Sequence, residues 1–127
     1  MVERVIATGK TQELIARLKA AHGELLFHQS GGCCDGSSPM CYPRGEFRTG
    51  PNDLLIGEIG GCPFYIGAAQ FEYWAHTQLI IDVVSGRGGG FSLEAPEGVR
   101  FLTRGRVFTE LELESLRAGQ APAPSTA

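Results

Sequence analysis

The residues best suited to chemistry lie in one glycine- and cysteine-rich segment, residues 31–41. This segment holds Cys33, Cys34 and Cys41. Thiolates are the ligands that zinc and iron–sulfur clusters select. Glycines in such a loop let backbone N–H groups approach a cluster or an anion closely. The sequence therefore predicts a metal ion, zinc or iron, or an iron–sulfur cluster bound by these thiolates. His28 ends the preceding predicted strand and offers a nitrogen as a weaker fourth ligand.

Two other interpretations of the same cysteines stay open. Free cysteines are often buried as small hydrophobic residues with no chemical role. A catalytic or redox thiol is the other alternative, and it needs a pKa lowered by a nearby histidine or helix N-terminus. His28 and His76 are candidates for that neighbour, but their distance from the loop is not fixed by the sequence. Whether the chain is an enzyme therefore stays open.

Other polar residues are better explained by structure. Cys62 precedes a proline on a predicted strand away from the loop, and His76 is isolated, so we expect structural roles for both. Residues 86–90 are glycine-rich but are followed by neither a helix nor a Lys-Ser/Thr pair, which favours a strand-to-strand turn over a phosphate loop. Asp82 is either a strand-end charge or a buried carboxylate with a raised pKa.

Composition limits the class of protein. The chain has 127 residues, 43% hydrophobic and 20% charged, with a formal net charge of −3. This is the size and composition of one globular domain. No basic run is present, which argues against nucleic acid as a partner. No segment has the length of a signal peptide core or a membrane span, so we expect a cytoplasmic location, where thiols stay reduced.

Periodicity and turn residues predict the order of elements. A first helix is expected over 12–21, capped by Thr11 and ended by Gly23. Thr109 and Glu112 form a capping box that opens a last helix over 110–117. Between them we expect strands over 24–28, 53–59, 62–66, 78–84, 91–94 and 99–103, a helical turn over 68–74, and a long functional loop over 29–50.

These elements predict an α+β fold in a single domain, residues 1–117. We expect one mixed, curved β-sheet with short helices at the N- and C-terminal ends, and strand 78–84 at its centre because its apolar residues fall on both faces. Residues 118–127 are rich in alanine and proline and are predicted to be disordered.

Pro63 indicates an edge position or a strand start, and an edge there makes a homodimer plausible. As a pure interaction module, the chain would present Phe71, Tyr73 and Trp74 to a partner.

Two stretches of sequence carry a close family resemblance. They read Phe-His-Gln-Ser-Gly-Gly-Cys-Cys-Asp-Gly-Ser over residues 27–37 and Gly-Phe-Ser-Leu-Glu over residues 90–94. With them, nearly the whole chain resembles an uncharacterised bacterial family, domain of unknown function 779. Members are often encoded beside aldehyde dehydrogenases. The resemblance implies an accessory role in aldehyde or alcohol metabolism, with an aldehyde dehydrogenase as partner, and supplies no catalytic residues.

A more distant resemblance concerns the order of elements. An opening helix, a strand, Gly31-Gly32-Cys33, a central strand and a glycine-rich segment before Phe91 follow one another. This order resembles the A-type iron–sulfur carrier family, the HesB-like fold, and by that match Cys33 would be the carried-over ligand. No cysteine follows Cys62, so the C-terminal Cys-Gly-Cys of that family is absent. The resemblance therefore implies simple metal binding more than cluster transfer.

Overall fold

The structure, a computed structural model, has two mixed β-sheets where the sequence predicted one. It describes residues 3–29, 37–45, 50–86, 92–118 and 123–124. The strands are β1 (Val5–Ala7), β2 (Leu25–Gln29), β3 (Met40–Pro43), β4 (Asp53–Ile59), β5 (Cys62–Gly67), β6 (Thr77–Ser85), β7 (Val99–Val107) and β8 (Ala123–Pro124). The helices are α1 (Gly9–His22), α2 (Ala68–Trp74) and α3 (Glu110–Ala118). The α+β fold in a single small domain is confirmed.

Strand order shows how each sheet is built. The smaller sheet runs β1-β6-β7, with β1 parallel and β7 antiparallel to β6. The larger runs β3-β2-β5-β4-β8, in which only the β2–β5 pair is parallel. The central position of β6 is confirmed. Because β5 lies between β2 and β4, the edge position for Pro63 is wrong, and Pro63 is instead the second residue of its strand. The edge-strand argument for a homodimer is lost with it.

The two sheets pack against each other through aromatic side chains. Phe27 lies edge-on to Phe101 with ring centroids 5.0 Å apart and stacks on Phe64 at 6.1 Å. All three rings are fully buried. At another point the sheets approach so closely that a Cβ atom on Gly57 would lie 2.9 Å from Val5 Cγ1. Glycine is required there because real Cβ contacts are not that short, and this contact fixes β1 against β4.

The helices begin and end with recognisable caps. Helix α1 starts three residues before the prediction, because Thr8 is its cap and accepts from Thr11 N–H at 3.3 Å. Thr11 lies inside the helix, buried, and its hydroxyl donates to Ile81 O at 2.7 Å. The predicted stop at Gly23 and the α2 bounds are confirmed. Among the helices described, none has the length and apolar character needed to cross a membrane.

Other predictions were wrong in detail. Residues 92–94 form a turn leading into a 3₁₀ turn at Ala95–Glu97, not a strand. The long predicted loop contains β3, and the predicted disordered tail contains β8, which pairs with β4. Trp74 is buried in the core, so it is not available to a partner, whereas Tyr73 is exposed. Residues 87–90 of the predicted glycine turn lie outside the described residues.

Candidate functional site

Of the cysteine-rich segment 31–41, the structure describes residues 37–41, while Cys33 and Cys34 lie outside the described residues. Gln29 Nε2 donates to Ser37 Oγ at 3.1 Å. Thr103 on β7 holds both residues, because its hydroxyl donates to Gln29 Oε1 at 2.8 Å and its N–H to Ser37 O at 2.7 Å. Gln29 and Thr103 are fully buried. Gln29, at the end of β2, and Ser37, at the start of the described part of the segment, are therefore fixed to each other and to the smaller sheet.

Cys41, Ser92 and Glu94 form a buried polar group, called here the Cys41–Ser92–Glu94 group. Cys41 N–H donates to Ser92 Oγ at 2.9 Å, and Leu93 N–H donates to Cys41 O at 3.0 Å. The Ser92 hydroxyl in turn donates to Glu94 Oε1. These bonds attach the turn at residues 92–94 to the outer edge of β3, and so hold a thiol and a carboxyl in one region of the core.

The Glu94 carboxyl is unusual for its burial. Only 1% of the residue is exposed, and Oε2 has no hydrogen-bond partner among the described residues. Burial raises the pKa of Glu94, outweighing the Ser92 hydroxyl and the backbone N–H groups of Glu94 and Phe101, which lower it. Nearly all buried polar atoms in folded proteins are hydrogen-bonded, so an atom such as Oε2 requires an explanation.

The Cys41 thiol is equally enclosed. It is 0% exposed, and its pKa is raised far above the ordinary value, first by burial, then by the charge of Glu94 and by Cys62. The thiolate is the nucleophilic form, so a raised pKa makes Cys41 a poor catalytic thiol. Cys62 is also buried with a raised pKa, caused mainly by burial, which agrees with its predicted structural role.

His28 lies on the other face of the larger sheet from Cys41. In the β2–β3 register Phe27 pairs with Cys41 and His28 pairs with Met40, and successive residues of a strand face opposite sides. His28 Nε2 lies 2.6 Å from Asp53 Oδ1, and Gly50 N–H donates to Asp53 Oδ2 at 2.8 Å. Burial raises the pKa of Asp53, and the contacts with Gly50 and His28 lower it. Together the two contacts outweigh burial, so the pKa of Asp53 is below its ordinary value. The structure therefore does not bring His28 and Cys41 together.

Asp82 and His76 are the other residues singled out from the sequence, and neither belongs to the Cys41–Ser92–Glu94 group. The pKa of Asp82 is lowered, first by the Val83 N–H, against a smaller opposing effect of burial. Arg104 Nε lies 3.1 Å from its Oδ2. The alternative of a buried carboxylate with a raised pKa is wrong for Asp82. His76 is exposed, and its carbonyl accepts from Phe108 N–H at 2.9 Å.

Sequence reasoning missed Ser92, Glu94 and Asp53. Ser92 and Glu94 are two residues apart, and that spacing was assigned to a half-buried strand instead of a turn. Nothing in the local pattern indicates that this turn docks on β3, because the contact joins residues 51 positions apart. Asp53 was predicted as the start of a strand, and its pairing with His28 depends on the order β2-β5-β4.

The donor atoms allow a limited test of the predicted metal site. Within the described ranges, no group of three or more histidine, cysteine, aspartate or glutamate side chains is arranged to hold a metal ion. Cys41 and Glu94 belong to one hydrogen-bonded group and offer one sulfur and one oxygen, which by themselves are fewer donors than a metal site needs. The described residues thus offer part of a ligand set, while Cys33 and Cys34 lie outside them.

Comparison with known proteins gives a family and no activity. No curated protein matches the chain. One family model matches residues 14–107, a span that includes strands β2 to β7 and the whole Cys41–Ser92–Glu94 group. The chain therefore belongs to the family described as Domain of unknown function (DUF779).

Proposed function

We propose that this chain is a metal- or iron–sulfur-binding accessory protein that uses the segment 31–41 and serves an enzyme of aldehyde or alcohol metabolism. The partner in this proposal is an aldehyde dehydrogenase. Cys33, Cys34 and Cys41 are the proposed thiolate ligands. His28, the weaker fourth ligand expected from the sequence, is left out because it faces away from Cys41 and contacts Asp53.

One observation carries the proposal: a buried carboxyl oxygen without a partner among the described residues lies in the same hydrogen-bonded group as Cys41. Thiolate sulfur and carboxylate oxygen are both donor types that zinc and iron accept. Ser37, in the same segment, is held by hydrogen bonds from Gln29 Nε2 and from the Thr103 N–H. These contacts hold Ser37, four residues before the proposed ligand Cys41, and supporting hydrogen bonds of this kind keep metal ligands in place.

The alternative of a thiol-dependent enzyme acting on a reactive carbonyl is less well supported. A nucleophilic cysteine needs a lowered pKa and access to substrate. Cys41 has neither, since it is fully buried and its pKa is raised. That chemistry would have to come from Cys33 or Cys34, and no contact of the described residues favours it.

An accessory role also needs a surface for the partner. Tyr73, Val107 and Leu111 are the large hydrophobic residues that are exposed within the described part of the chain. Aromatic and aliphatic side chains of this kind are enriched in the cores of protein interfaces. They support the second candidate role, a non-catalytic regulatory subunit of a dehydrogenase.

The Cys33→Ser variant tests the proposed ligand set. Zinc or iron content is measured on the untagged wild type and on the variant, with Cys62→Ala as a control that also removes a cysteine. We expect Cys33→Ser to lose the metal while its circular dichroism spectrum stays that of the folded chain, and Cys62→Ala to keep the metal. Full metal occupancy in Cys33→Ser would contradict the assignment. Each thiol must lose its proton to bind the metal as a thiolate, so metal affinity should fall as the pH falls.

A further inference from the structure

The large apolar side chains that are exposed in the described part of the chain all lie near one hydrogen bond. Tyr73 is 65% exposed, Val107 74% and Leu111 79%. Phe108 N–H donates to His76 O at 2.9 Å, and each of these side chains lies within three positions of Phe108 or His76 along the chain. Single exposed apolar residues are common on protein surfaces, whereas a concentration of them in one region indicates a contact surface. We call this surface the Tyr73–Val107–Leu111 patch.

The backbone that carries two of these side chains is well fixed. Val107 is the last residue of β7 and pairs in the β6–β7 ladder, and Phe108, which follows it, is buried. Arg106 makes two hydrogen bonds of 2.9 Å to Glu112, from Nη1 to Oε1 and from Nη2 to Oε2, which join β7 to the start of α3. Val107 and Leu111 are therefore exposed on ordered secondary structure, which lowers the entropy cost of binding a partner.

The charges around the patch are negative. Residues 68–77 and 107–116, the two stretches that meet at this hydrogen bond, contain four glutamates and neither lysine nor arginine. One of the four is Glu112, which pairs with Arg106. The other glutamates are exposed and form no ion pair within the described part of the chain: Glu72, Glu110 and Glu114.

Arg4 also reaches this region, but it does not reverse the sign of the charge. Its Nη1 donates to Ala75 O at 3.1 Å, and its guanidinium lies over the Phe71 ring, 5.0 Å from the centroid. The neighbouring Glu3 is exposed and supplies the opposite charge. The rim of the patch therefore stays acidic. Like charges repel, so the patch is unsuited to the same patch on a second copy of this chain.

We infer that the Tyr73–Val107–Leu111 patch binds a partner protein whose surface has an apolar centre and a rim of lysine or arginine side chains. The apolar side chains lose contact with water on binding, and the glutamates select and orient a basic partner. Complementary charge at the rim also speeds the encounter and makes it depend on salt. The inference rests on the proposed function for the need of a partner, and it names the chemistry of that partner's surface.

Nuclear magnetic resonance with a synthetic probe tests this inference without a metal or a dehydrogenase. The probe is an amphipathic helical peptide of leucine and lysine, and the control is the same peptide with glutamate in place of lysine. Each peptide is titrated into the full isotope-labelled chain. We expect the lysine peptide to shift amide signals in residues 71–77 and 106–115, less so at high salt, and the glutamate peptide not to bind. Shifts spread over the whole surface, or equal binding of both peptides, would overturn the inference.

Variants separate the apolar centre of the patch from its rim. Leu111→Ser should weaken binding of the lysine peptide more than about fivefold, the usual minimum cost of losing an interface anchor. Glu72→Lys combined with Glu114→Lys should weaken it at least as much, because the rim loses its negative sign. Glu13→Lys combined with Glu58→Lys is the matched control, since it makes the same change of net charge at two exposed positions outside the patch. An equal loss of binding in this control would show a general charge effect and overturn the inference.

The outcomes separate this inference from the proposed metal-binding role. A chain that holds no metal but binds the lysine peptide at the patch would support the inference and contradict that role. A chain that binds metal but does not bind the lysine peptide would support that role and overturn the inference.

Discussion

The Asp53→Asn variant tests whether the His28–Asp53 pair stabilises the fold independently of the proposed metal site. The Asp53 carboxylate lies 2.6 Å from His28 Nε2 and accepts Gly50 N–H at 2.8 Å. Asparagine keeps the size of the side chain but has one acceptor oxygen in place of two, so Asp53→Asn removes the charge and disrupts one of the two contacts. His28 is buried, so it cannot compensate by turning into water. We therefore expect a loss of stability without a loss of metal.

The magnitude follows from the contacts of this carboxylate. A hydrogen bond to a charged group contributes about 1.5–3 kcal/mol, and Asp53 makes two contacts of this kind. Its side chain is partly exposed, which weakens both through solvent screening. We expect Asp53→Asn to lower the free energy of unfolding at neutral pH by about 1–3 kcal/mol.

The pH dependence has a defined sign. The pKa of Asp53 is lower in the folded chain than its ordinary value of about 4. Its stabilising contribution is therefore complete above that ordinary value and is lost as the pH falls through the lowered, folded-state pKa. The difference in unfolding free energy between wild type and Asp53→Asn should be largest at neutral pH and should shrink in acid, below the ordinary pKa.

Urea unfolding across this pH range measures the difference. Glu58→Gln is the control, because Glu58 lies on the same strand and is exposed, and we expect it to change stability by less than about 0.5 kcal/mol. A difference for Asp53→Asn that stays constant into acid would refute the role given to the carboxylate charge. Zn²⁺ affinity of Asp53→Asn should equal that of the wild type, and a loss of affinity would refute the placement of His28 outside the site.

Two further predictions concern a helix cap and the buried thiol. Thr109→Ala should lower the free energy of unfolding by about 1 kcal/mol, because α3 loses the hydroxyl that accepts Glu112 N–H. Urea unfolding measures this against Thr109→Ser, and an unchanged midpoint would contradict it. Iodoacetamide should label Cys41 at neutral pH only after unfolding, since burial raises the pKa of its thiol. Peptide mapping by mass spectrometry reads the site, and rapid labelling of the native chain would show that the thiol is accessible.

The parts of the fold that the sequence predicts are those with local signals. The bounds of β4 and α2, the stop of α1 at Gly23 and the capping box at Thr109 follow from alternation, turn residues and caps. The parts that fail depend on distant contacts. Short β1 and β8 exist because β6 and β4 offer open edges, and residues 92–94 become a turn because Cys41 and Ser92 bond to each other. No window of neighbouring residues contains that information.

The same division applies to the candidate site. The cluster of cysteines in residues 31–41 is visible in the sequence, and its last member, Cys41, lies in the buried group. His28 looked like a fourth ligand because it is near in the chain, but one step along a strand reverses the face of a side chain. Glu94 lies far from the segment 31–41 in sequence. It is joined to Cys41 through Ser92, whose hydroxyl donates to Glu94 and accepts the Cys41 N–H.

The metal content of the native protein tests the central claim most directly. The untagged chain is purified without oxygen, and its zinc, iron, sulfide and visible absorption are measured. The account predicts about one equivalent of bound zinc without colour, or iron with a brown iron–sulfur spectrum. A colourless chain that holds no metal, and still holds none after incubation with Zn²⁺ or with iron and sulfide, would contradict it.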